Sequence, residues 1–177
     1  NQRLRRYKQL IEKDKELCLG SYCFLWGQKQ ESTSTWHGMF LSNGNPTEAI
    51  DVMQYCWTGN WPEDRAPSIV NIKLENTDWK KDHVIESSVE VNLRIEYLKY
   101  NNDSVIVEYK LFPEAFSNKI GGDIQKSPKP IDFEITNQSK NKITFISPKE
   151  KGAYRIFAFI KNEKEQSSVA NVPFLIK

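Results

Sequence analysis

The feature that most restricts what this chain can fold into is a change of period at Pro67. Beyond it, Val89, Val91, Leu93, Ile95 and Tyr97 alternate with Glu90, Asn92, Arg94 and Glu96. Val105, Val107, Tyr109 and Leu111 repeat the pattern after the turn residues Asn101-Asn102-Asp103. Alternation at a period of two puts one set of side chains on each face of a strand, and an apolar set needs a core to face. Further strands are expected at 69–74, around Ile143 and Phe145, at 154–160 and at 169–176, with a long loop over 115–130 that carries Gly121-Gly122 and two prolines. Several short alternating strands separated by turns predict an antiparallel β-sandwich of immunoglobulin-like type. Tyr154, near the start of a late strand, suits a tyrosine-corner hydrogen bond.

Before Pro67 the pattern is helical and then mixed. Leu4, Tyr7, Leu10 and Ile11 recur at helical spacing among charged residues, which predicts an amphipathic helix ending near Glu16. Residues 17–26 are almost continuously apolar, as in a strand buried on both faces of a parallel sheet. Asn43-Gly44 marks a turn. A second helix is expected next, capped by Asn45, with Pro46 first in the helix and Glu48 three residues past the cap. Ala49, Ile50, Met53 and Trp57 form its apolar stripe, and Gly59 can close it in the left-handed conformation. The residues from Trp61 to Pro67 read as an extended linker.

A strand of this kind needs neighbours for its backbone groups, and the first part of the chain offers none. The chain also starts without Met and inside a helical pattern. The expectation is therefore that an upstream part of an α/β domain completes residues 1–65, with the sandwich spanning 66–177. The competing arrangement is a two-layer α+β protein in which all 177 residues form one domain.

The totals narrow the function classes. The balance of 25 basic against 23 acidic residues gives a net charge of +2 and no electrostatic case for nucleic acid or an anionic membrane. No apolar stretch is long enough to span a bilayer. Cys18, Cys23 and Cys56 are odd in number and lie in apolar contexts, so they read as small buried hydrophobes rather than disulfides. Without a Cys-x-x-Cys spacing, and with only His37 and His83 to add nitrogen, no metal ligand is assigned. No cofactor is implied.

One block is distinctive. Gly20-Ser21-Tyr22-Cys23-Phe24-Leu25-Trp26-Gly27-Gln28-Lys29-Gln30-Glu31, continuing through Thr33, Thr35-Trp36 and Gly38-Met39-Phe40, resembles the last barrel strand of bacterial glycoside hydrolase-like proteins. Glu48-Ala49, Asp51, Met53-Gln54-Tyr55, Trp57-Thr58-Gly59 and Trp61-Pro62 are similar to the last barrel helix and its exit. Pro113-Glu114, Gly121-Gly122-Asp123, Pro148, Gly152 to Phe157 and Ala170 to Phe174 are similar to the sandwich that follows such barrels. The resemblance implies a helix–strand–helix remnant of a (β/α)8 barrel ahead of an immunoglobulin-like sandwich. It implies a C-terminal, non-catalytic part of a protein that processes polysaccharide outside the cytoplasm. Its partners would be carbohydrate and the missing N-terminal barrel. The two carboxylates that glycosidases use would lie on absent strands, so no catalytic residue is assigned. The alternative function is a stand-alone carbohydrate-binding or protein-interaction β-sandwich module.

Barrel sites lie at the C-terminal ends of the strands, which singles out Trp26 and the loop that follows it as a substrate surface. Trp26 and Trp36 are candidates to stack on a sugar ring, against a packing role for each. Lys29, Gln30 and Glu31 are candidates to hydrogen-bond hydroxyls, against a solvated loop with a local ion pair. Glu114 and Asp123 flank the Gly-rich loop, but calcium needs a denser oxygen set, so both read as surface acids. Trp79, Tyr97, Tyr100 and Phe116 are the aromatic candidates on the sandwich, and they form no obvious platform.

Overall fold

The computed structural model describes residues 2–14, 16–36, 38–75, 77, 83–115 and 125–177. His37, Trp79, Phe116, Gly121, Gly122 and Asp123 lie outside the described residues.

The mainly β expectation holds: among the described residues, two four-stranded sheets form a sandwich. One sheet has the order β1–β3–β6–β5, from β1 (Ser68–Leu74), β3 (Glu90–Leu98), β5 (Ile135–Ser139) and β6 (Lys142–Ile146). The other has the order β2–β8–β7–β4, from β2 (Val84–Ile85), β4 (Val105–Pro113), β7 (Gly152–Asn162) and β8 (Ser167–Ile176). The second sheet is mixed rather than purely antiparallel, because β2 runs parallel to β8. Alternation decides which faces meet. Val91, Leu93 and Ile95 of β3, Ile143 and Phe145 of β6, and Tyr154, Ile156 and Ala158 of β7 point into one core, joined by Leu111, Val172, Phe174 and Ile176. Ser147 and Ser168 are buried with their hydroxyls in use, accepting from the Val89 and Ile69 amides. Tyr154 makes its expected corner, donating its hydroxyl to the Glu150 carbonyl at 3.0 Å. Pro173 faces Arg155 in the β7–β8 ladder, and among the described residues β2 pairs with Leu175 and Ile176.

The first part of the chain departs from expectation. The helix stops earlier than Glu16: α1 (Gln2–Arg6) continues as a π-helical turn over Tyr7–Ile11. Residues 17–26 form no strand. They form an arm outside both sheets, entered by a turn at Leu17 and bent at Phe24 and Trp26. Over residues 22–26, Cys23 and Leu25 turn inward and Tyr22, Phe24 and Trp26 turn outward. No barrel remnant is present among the described residues. The helix α2 (Glu48–Thr58) is capped by Thr47, whose hydroxyl accepts from the Ala49 amide, and not by Asn45. Pro46 instead bridges to Phe40, and its carbonyl accepts from the Ser167 amide at 2.8 Å. Gly59 ends the helix at φ 76° as expected. Only Cys56 is a buried cysteine. Cys18 and Cys23 are half-buried, and all three thiols are free.

The linker is held rather than loose. Asp51 of α2 is buried and accepts the Ala66 amide at 2.7 Å. Arg65 lies between two rings, 3.7 Å from the Trp61 centroid and 3.5 Å from that of Tyr100. The 27–47 segment covers the outer face of the β4–β7 pair, which is why Phe157 is buried on the face opposite the core.

Candidate functional site

The arm is the first candidate surface. Its inner side rests on α2: Cys23 packs against the small cluster of Met39, Ala49 and Met53, and Trp57 Nε1 donates to the Ser21 carbonyl at 3.2 Å. Its outer side is apolar and in solvent. Exposure is 85% at Leu17, 102% at Leu19, 100% at Tyr22, 81% at Phe24 and 57% at Trp26. Trp26 stacks on Trp57 with centroids 6.0 Å apart and meets Phe40 edge-on at 5.7 Å. The predicted sugar-stacking residue therefore belongs to an aromatic group on the arm.

The second candidate is a cleft between the loop after the arm and the outer face of β4–β7. The loop is tightened by the Glu31 to Thr33 bridge, by Gln28 Nε2 donating to the Ser34 carbonyl at 3.1 Å, and by the Ser32 amide donating to Gln125 Oε1 at 2.8 Å. These contacts hold Gln30 inward, where it is 8% exposed. Its Oε1 accepts from Ser127 Oγ at 3.1 Å, while its Nε2 is buried with no hydrogen-bond partner among the described residues. The floor is Phe112 against Phe157, edge-on at 5.3 Å. One wall is an ion pair: Arg155 grips Glu114 through Nε and Nη2 (the latter at 2.8 Å) and donates from Nη1 to Asn171 at 2.6 Å. Glu114 is thus a half-buried structural partner of Arg155 rather than a solvated surface acid.

The predicted site residues do not converge. Gln30 enters the cleft. Lys29 and Glu31 form the local ion pair at 2.8 Å. Trp36 lines a different hollow, of about 360 Å³, with Arg3, Arg6 and Glu48. Burial pushes the Glu48 carboxyl above its usual range, against the opposing pull of the Ser68 hydrogen bond. Reasoning from the sequence missed Phe112, Ser127, Arg155 and Phe157. The signal available was on β7, where Arg155, Phe157, Phe159 and Lys161 alternate with the core set and give the strand two apolar faces. Among the described residues no group of three or more His, Cys, Asp or Glu side chains is placed to hold a metal ion. No helix among them is long and apolar enough to cross a membrane.

Neither a protein-family model nor a curated protein matches the chain. Solved structures do. PcoC, a methionine-rich copper resistance protein from Escherichia coli, aligns at 14% identity over 63% of this chain and 98% of its own, with a TM-score of 0.35. A DUF4784 family protein from Bacteroides caccae aligns at 12% identity over 61% and 24%, with a TM-score of 0.33. The soluble domain of PmoD from Methylocystis aligns at 11% identity over 67% and 95%, with a TM-score of 0.35. Scores this low carry no argument about what this chain binds. The resemblance to glycoside hydrolase-like barrels is corrected on the structure: the segment read as the last barrel strand pairs with no sheet, and no helix–strand–helix remnant is present among the described residues.

Proposed function

We propose that this chain is a protein-interaction module, in which a β-sandwich of immunoglobulin-like type over residues 66–177 carries a docking segment over residues 1–65. The observation that carries this reading is the exposure of five large apolar side chains on the arm, Leu17, Leu19, Tyr22, Phe24 and Trp26, the last three alternating with Cys23 and Leu25. Soluble surfaces rarely leave so many large apolar side chains together in water. A segment that presents Tyr22, Phe24 and Trp26 on one side fits a partner sheet with an open edge beside an apolar surface, where backbone pairing supplies affinity and alternate side chains supply specificity. Large side chains bury about 150–250 Å² each, so the outer face offers roughly 800 Å², the share one partner contributes to a standard interface.

Site-directed photo-cross-linking tests the reading. A photoreactive residue replaces Tyr22 in one variant and Asn137, on the exposed strand β5, in another. The expected result is a discrete adduct from position 22 that a synthetic peptide of residues 17–26 competes away, its cross-linked peptide lying on an edge strand of the partner. Equal labelling from both positions, or adducts only between two copies of this chain, would contradict it.

A further inference from the structure

The cleft at Gln30 is independent of the arm. Burying an amide N–H without a partner is costly, and among the described residues the Gln30 amide has none on a side chain that lines a cleft open to solvent. The cleft itself is small, about 40 Å³. It shares Ser34, Phe112 and Ser127 with a longer groove of about 270 Å³, which runs over Phe159 and Ile106 toward Asn43 and Asn45. The floor is aromatic and the walls are hydroxyls and amides. The charges along it are already matched: Arg155 with Glu114, Lys110 with Glu108, and Lys161 with Glu165.

From this arrangement we infer a binding site for a neutral carbohydrate. A pyranose ring lies at the cleft end of the groove with an apolar face on Phe112. One hydroxyl or hydroxymethyl group enters the cleft, where its oxygen accepts from Gln30 Nε2 and its proton is within the reach of the Ser127 hydroxyl. Further along the groove Lys110 lies over the Phe159 ring, so Phe159 lines the path and does not stack on that sugar. Paired charges give an ionised sugar no free counter-ion, so neutral polymers are preferred. Gln30 donates to the ligand, Ser127 orients Gln30, and Phe112 supplies the stacking surface.

Affinity electrophoresis of the full chain through gels containing soluble β-glucan, xylan, galactomannan or polygalacturonate tests the site. At least one neutral polymer should retard the protein, and polygalacturonate should not. Gln30→Glu keeps the side chain's shape and its Ser127 contact but removes the donor, and should weaken retardation about tenfold or more. Gln30→Ala should do the same, while Asn137→Ala on the far sheet should migrate as wild type. If Gln30→Ala proves unstable by thermal melting, Gln30→Glu carries the test. No retardation in any neutral gel, unchanged retardation of Gln30→Glu, or stronger retardation in polygalacturonate would each overturn the proposal. Loss of the arm's cross-link would leave this result untouched.

Discussion

Replacing Tyr22 by Ser separates an arm in solvent from a strand in a core. Tyr22 is fully exposed, so folding removes almost none of its surface from water. The change should then shift unfolding free energy by no more than about 0.5 kcal/mol, the usual span for exposed positions. A large aromatic in a packed strand would cost about 3–5 kcal/mol on truncation. Met39 is the internal comparison: it is 0% exposed, at the centre of the cluster beneath the arm, and Met39→Ala should cost about 2–5 kcal/mol. Urea denaturation of the monomer, followed by far-UV circular dichroism, measures both. A loss above about 2 kcal/mol for Tyr22→Ser would place that ring in a core and rule out its exposure on the arm.

Two further expectations concern the junction and the sheet. Asp51 accepts the Ala66 amide, and burial raises its pKa despite that bond, so the hydrogen bond matters more than the charge. Asp51→Asn should therefore be near neutral at pH 7, whereas Asp51→Ala strands a buried N–H and should cost about 1–3 kcal/mol by the same denaturation assay. Glu75 binds Lys142 and Arg94, and these two hydrogen bonds lower its pKa to about 2. A depressed carboxylate stabilises the fold above its unfolded pKa, near 4.5, and that contribution disappears as pH falls toward 2. Glu75→Gln should accordingly melt below wild type at pH 7, with the gap closing between pH 4.5 and pH 2. A gap that persists at pH 2 would contradict the assignment.

The sandwich was legible where one face of a strand is apolar and the other polar. That holds for β3 and β4, and the corner at Tyr154 followed from its place in β7. The pattern gave no sign of β5, because all of Ile135–Ser139 is exposed on a sheet edge and carries no buried face. Nor did it show β2, whose two residues are too few to have a period. The arm was misread for a different reason. A short apolar run has the same composition whether sheets cover it or solvent does, and only the missing ladder tells the two apart. Gln30 was singled out as a candidate from its type and loop, but its neighbours in the fold were out of reach. Ser127 and Phe112 are distant in the chain, and the β7 face that holds Phe157 and Arg155 looked like core on both sides.

Residues 19–26 lie outside both sheets, and amide hydrogen exchange of the protein, read by mass spectrometry, shows how they are held. Amides of this segment should exchange much faster than those of β3 and β7, whereas the Leu17 and Cys18 amides, bonded to the Asp14 carbonyl, belong to the preceding turn. Protection of residues 19–26 comparable to that of β3 would place them in a ladder of their own chain and would rule out an arm open to a partner.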